Sequence, residues 1–173
     1  MIHDFDERLK WSKNASLEAF WNEVYKKAFP DMLKYELYSG KRRGVHRLIY
    51  LPNDKILYIN EKKRETEYND IVLEYISVDT TGAPGWIERD LEIDYIAYAF
   101  MSSRRVYLLD WPVLRQAWQL HKDEWKTRYG IPPARNKGYK TLSAAVPISV
   151  LHDAVAMSIS PQLRLPMIPS SSG

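Results

Sequence analysis

The chain has 173 residues and a mass of 20.3 kDa, enough for a single domain with its own core. It contains no cysteine, which excludes a disulfide framework and thiolate-held zinc or iron–sulfur centres, so a metal would be held by oxygen or imidazole. Net charge is only +3, so basic residues matter by where they cluster: Lys41 to Arg43, Lys62 to Arg64, Arg104 with Arg105, and Arg135 with Lys137 and Lys140.

The start, MIHDFDERLK, is acidic and lacks the apolar run of a secretory signal, and no later run approaches the ~20 apolar residues of a membrane span. This predicts a soluble cytoplasmic protein with no membrane partner, folded as one domain over residues 1–160. Residues 1–13 read as a loosely attached lead, after which Ser16 is placed as an N-cap with Glu18 in the first helical turn. Leu17, Phe20, Trp21, Val24, Tyr25 and Ala28 follow at helical spacing and form one apolar stripe, which Pro30 ends. Glu23 lies beside that stripe, where it is either solvated or turned toward a site. Residues 32–38 read as a connector or short strand, and 39–44 as a flexible basic turn suited to phosphate.

Residues 44–64, GVHRLIYLPNDKILYINEKKR, carry the densest signal. Two apolar runs, 48–51 and 56–59, flank Pro52-Asn53-Asp54-Lys55, a turn sequence, so a β-hairpin is predicted. Its second strand runs directly into Asn60-Glu61-Lys62-Lys63-Arg64. That tip either reaches a phosphate or metal, or is a charged edge that blocks sheet-to-sheet association. A third, mostly buried strand is predicted over 71–78 from its β-branched and aromatic residues, with Glu74 on an exposed face or paired.

Residues 79–86 are loop by composition, and 87–101 fit a short helix running into a strand or two strands. After a short apolar run at 106–109, Asp110 and Pro112 mark the start of a helix whose inward stripe is Leu114, Ala117, Trp118, His121 and Trp125. Residues 131–140 form a basic Pro/Gly loop. A last helix begins at Val146-Pro147 with Ile148, Leu151 and Val155 on one side and His152 beside them, and 161–173 read as an irregular or disordered tail. The 6 Trp and 12 Tyr serve as core and rim residues or as stacking surfaces for bases.

No Walker-type phosphate loop, HExxH helix, GxSxG elbow or paired CxxC is present. What remains is a helix bearing a glutamate, a basic turn, a hairpin ending in an acid/lysine cluster, and another strand. This order, carried by Glu23, by Gly44-Val45-His46-Arg47 and by Asn60-Glu61-Lys62-Lys63-Arg64, resembles the PD-(D/E)XK nuclease superfamily, over roughly residues 15 to 100. The resemblance implies an α+β fold, sandwich-like, with a central mixed β-sheet flanked by helices as in restriction endonucleases.

It further implies phosphodiester hydrolysis assisted by Mg²⁺ or Mn²⁺, in a protein of phage or bacterial type. Carried over residue by residue, Lys62 is the motif lysine, Arg64 a phosphate contact and Glu23 the helix glutamate. The two metal carboxylates fall on His46 and Asn60, of which imidazole favours softer metals and an amide is the weaker oxygen ligand. In the other register Glu61 and Lys63 form the acid/lysine pair, since alternate residues share a strand face, and Glu74 could contribute. The catalytic set is therefore Glu61, Lys62, Lys63 and Glu23, and the metal set His46, Asn60 and Glu61. Lys41, Arg42, Arg43 and Arg64 are the expected nucleic-acid contacts, with DNA as the partner, RNA left open and a homodimer allowed. The alternative is the same fold without catalysis, serving as a nucleic-acid- or protein-binding module.

Overall fold

The stretch from His3 to Ala28 contains neither glycine nor proline, so nothing in it interrupts helix propagation. In the computed structural model, which describes the backbone of residues 3–158 and the side chains of 15–155, helix α1 (His3–Ala28) runs through all of it. Ser16 is thus an interior helical residue and not the N-cap, and residues 3–13 belong to the helix. The expected tail, 161–173, lies outside the described residues. Of the predicted stripe Phe20, Trp21, Val24 and Tyr25 are buried, and Leu17 and Ala28 are partly buried.

Strands β1 (Lys34–Leu37), β2 (Arg47–Leu51) and β3 (Lys55–Arg64) form an antiparallel meander, with the predicted hairpin between the last two. Its turn places Asn53 and Asp54 at φ 62 and 57, a region that these two residue types tolerate better than most. The chain returns to this sheet only at β6 (Tyr95–Phe100), which lies parallel to β3, and β7 (Arg105–Asp110) pairs antiparallel with β6. Sheet order is β1-β2-β3-β6-β7, which puts the acid/lysine strand in the middle. Residues 96–100 are buried without a break, as suits an inner strand covered on both faces. Of the two readings of 87–101, neither holds whole: a turn and an extended segment lead into a single strand.

The protein has the expected α+β composition, yet its strands divide between two sheets where one central sheet was expected. Strand β4 (Asp70–Val78) does not extend the first sheet. It joins β5 (Ala83–Pro84), β8 (Ala134–Asn136) and β9 (Tyr139–Pro147) in a four-stranded sheet of order β5-β4-β9-β8. The place beside β3 is already taken by β6. The predicted basic loop at 131–140 is mostly the β8–β9 hairpin.

Helix α2 (Trp111–Tyr129) starts as predicted, with the Asp110 carboxylate accepting the Val113 amide at 3.0 Å and Pro112 in the first turn. Helix α3 (Ile148–Ser158) follows β9 directly. Two apolar clusters result. One lies between α1 and the five-stranded sheet (Trp21, Tyr25, Ile49, Ile59, Ala97). The other lies between that sheet, the second sheet and α2 and α3 (Leu48, Phe100, Leu73, Trp118, Val146, Leu151). His121 stacks on Trp125 with centroids 5.2 Å apart, while His152 is exposed. Among the described residues no helix is long and apolar enough to cross a membrane.

Candidate functional site

The two faces of β3 meet different surroundings. Leu57 and Ile59 face α1, and by strand alternation so do Glu61 and Lys63. Ile56 and Tyr58 face the second sheet, and with them Asn60, Lys62 and Arg64. The two registers left open by the sequence are thus two separate places, one on each side of the sheet.

On the α1 side the centre is Arg47, only 1% exposed, on β2. Its guanidinium donates to both oxygens of Glu18 at 2.9 Å each, and through Nε to Oε1 of Glu61. A further bond from Nη2 to Glu61 Oε2 measures 3.4 Å. The Tyr25 hydroxyl donates to Glu61 Oε1 at 2.7 Å, and the rings of Tyr25 and Tyr35 lie 5.7 and 5.2 Å from the guanidinium carbon. Burial by itself lowers the Arg47 pKa, but the hydrogen bonds and charge of Glu18 and Glu61 outweigh it and hold the guanidinium firmly protonated. Burial, with Glu61 adding to it, pushes the Tyr25 hydroxyl well above the ordinary tyrosine value, so it stays a donor. The bond to Arg47 lowers Glu18 against a smaller opposing effect of burial. Both Glu61 oxygens are engaged from within the protein.

On the opposite face stand Asn60 and Lys62, and His46 lies just before β2. His46 lies one residue beyond the Arg47–Ile59 pair, its own amide donating to the Ile59 carbonyl at 2.8 Å. Its Nδ1 accepts the Glu61 amide at 3.1 Å, which places the proton of the neutral ring on Nε2 and leaves no lone pair for a metal. Asn60 is 3% exposed; its Nδ2 donates to the Gly44 carbonyl at 2.6 Å, and its buried Oδ1 has no partner among the described residues. Gly44 presents that carbonyl from φ 78, where an added Cβ would lie 2.7 Å from Leu91 Cδ2. Lys62 is half-buried with Nζ 5.4 Å from the Trp86 ring centroid; desolvation lowers its pKa, Arg89 acts in the same direction and Glu74 opposes.

This donor set does not fit the hard divalent cation that the family resemblance implies. It offers one neutral amide oxygen, and Glu61 is engaged on the other face. Among the described residues no three His, Asp or Glu side chains are grouped to hold a metal ion.

The other expected site residues are placed as follows. Glu23 is exposed, bonded to Lys27 at 3.1 Å and Arg104 at 2.9 Å, and makes no contact with Glu61; the helix glutamate beneath the sheet is Glu18. Arg42 lies over Tyr58, Arg43 pairs with Asp90 and Glu92, and Arg64 pairs with Asp70 and covers Tyr68. Lys41 and Lys63 are exposed. The sequence reading missed Glu18, Tyr25 and Arg47 as one unit. The signals were present: Glu18 is spaced i, i+3, i+7 with Trp21 and Tyr25, and Arg47 is in phase with buried Ile49.

His46 gives a pH-dependent expectation. Loss of hydration lowers its pKa below 6.5, with Lys62 and Arg47 acting in the same direction and Glu61 opposing. The folded state thus binds this proton less readily than the unfolded chain. Stability tied to it is complete above the unfolded value and is lost as pH falls through the folded one. Urea midpoints measured between about pH 8 and 5 should fall on acidification in this window, and His46→Gln should flatten that fall. An identical profile in the variant would exclude His46 as its source.

No family model, curated protein or solved structure matches the chain.

Proposed function

We propose that this chain is a non-hydrolytic nucleic-acid-binding module laid out on a nuclease-like plan. The observation that carries the reading is Glu61: the one carboxylate at the strand tip is held by Arg47 and Tyr25, while the face that keeps a lysine offers an amide, and the imidazole of His46 is bonded to the Glu61 backbone amide. A half-buried cation, Lys62, beside a buried amide suits contact with a phosphate oxygen and does not generate hydroxide.

The test pairs binding with cleavage. Fluorescence anisotropy on a short labelled duplex at about 50 and 200 mM salt should show binding that weakens steeply with salt. Supercoiled plasmid incubated with Mg²⁺ or Mn²⁺ should stay intact. Absence of binding at low salt would sink the reading, as would divalent-dependent nicking that Lys62→Ala abolishes. The double substitution His46→Asp with Asn60→Asp puts carboxylates at both expected metal positions. Calorimetry with Mn²⁺ should give heat of binding for the double variant and none for the wild type. Wild-type Mn²⁺ binding lost in Asn60→Ala would count against the proposal.

A further inference from the structure

Of the four basic clusters, three are largely used inside the fold. Arg43 and Arg64 are paired with acids, Lys62 is half-buried, Arg104 pairs with Glu23 and Arg105 with Glu67. The fourth is different. Arg135, Lys137 and Lys140 sit on the β8–β9 hairpin, and residues 131–140 are all exposed. None of the three makes an ion pair among the described residues. The Asp79 carboxylate accepts the backbone amide of Lys140 at 2.8 Å.

The pairing makes this arrangement costly for folding alone. Arg135 stands directly across from Lys140, and like charges in that relation repel. A single lysine suffices to protect an edge strand, so edge protection does not account for three cations. At the tip Gly138 takes φ 85, and an added Cβ there would meet nothing within 4 Å, so the tip of the ribbon is open to solvent. The ribbon is also continuous with the candidate site. Ser143 of β9 pairs with Glu74, whose charge acts on Lys62, and Lys140 follows three residues along, about 10 Å by strand rise.

We propose that the β8–β9 ribbon is the duplex-docking element of this protein, its three cations gripping the phosphates that flank a major groove. The inference rests on the nucleic-acid reading above and deepens it. A two-stranded ribbon has the width that a major groove of about 12 Å admits. A single-strand binder needs a row of exposed rings for base stacking, and this ribbon carries only Tyr139, 37% exposed.

The experiment measures duplex affinity against salt for the wild type, for Lys137→Ala, and for the triple variant Arg135→Ala, Lys137→Ala, Lys140→Ala. The side chains are exposed, and equal urea midpoints will verify that the variants fold. Each lost phosphate contact reduces the slope of log K against log salt by about 0.9, so the triple variant should lose about 2 to 3 and Lys137→Ala about 0.9. If the wild type binds duplex and the triple variant keeps its slope, the ribbon assignment is wrong while the binding reading stands. If the wild type binds no nucleic acid, both fall. Tighter binding to single strands, or displacement of the duplex by polyglutamate at equal charge, would overturn the duplex as the partner.

Discussion

Replacing Arg47 by Met is expected to cost about 3–5 kcal/mol of stability, measured as the loss in unfolding free energy in urea. The side chain of Glu61 is 12% exposed, and without Arg47 its charge stays under α1 with only the Tyr25 hydroxyl as donor. Glu18 differs: its side chain is 41% exposed, so water can replace the guanidinium, and Glu18→Gln should cost no more than about 1 kcal/mol. The double variant Arg47→Met with Glu61→Leu removes both buried charges and should recover most of the loss. If the double variant is as unstable as Arg47→Met, packing and not charge holds this cluster together. Depression of the Glu18 pKa adds an acid limb: its share is complete above the unfolded value and disappears as pH falls through the folded one, below 4.5.

Trp118→Ala should be comparably severe, about 3–5 kcal/mol, because it opens a cavity where both sheets meet α2. Trp118 is fully buried, stacks on Tyr75 at 6.0 Å and packs against Trp125 at 6.2 Å, and its indole N–H donates to Glu88 at 2.8 Å. Glu88 also lies near Lys122 and Arg115, so this one ring pins the 85–91 segment, which carries Trp86 over Lys62. Trp118→Phe keeps most of the apolar contact and loses the hydrogen bond, so it should cost less, about 1–3 kcal/mol. Equal losses for the two variants would show that the bond to Glu88, and not the ring's volume, secures the helix. Either Arg47→Met or Trp118→Ala removes a large part of the stability of a domain this size, typically 5–15 kcal/mol.

The candidate site was half legible. Asn60 and Lys62 share one face of the sheet, as their spacing on the strand requires, and His46 is bonded to the Glu61 amide. The partners of Glu61 are not legible in the sequence, although Arg47 lies within the same motif. A charged residue in the buried phase of a strand demands a counter-charge, but its position in the chain does not say which one. Glu18 and Glu61 stand 29 and 14 residues from Arg47, and Glu23 stands 81 from Arg104, so separation in the chain names no pair. The fold gives Glu18 and Glu61 to Arg47 and leaves Glu23 on the surface with Arg104.

Local chemistry by itself determined the apolar stripe of α1, the hairpin with its Asn53-Asp54 turn, the Asp110 cap and the strand character of residues 71–78. Each rests on interactions within a few residues: helical spacing, φ tolerance, an amide bonded three positions on. Tertiary structure alone decided that β4 joins a second sheet, that β6 takes the place beside β3, and that α1 covers the Glu61 face while the second sheet lies over the Lys62 face. The physical reason is that period-two alternation separates two faces without naming what covers either. A buried charge is assigned only when helix, strand and neighbouring sheet have closed around it.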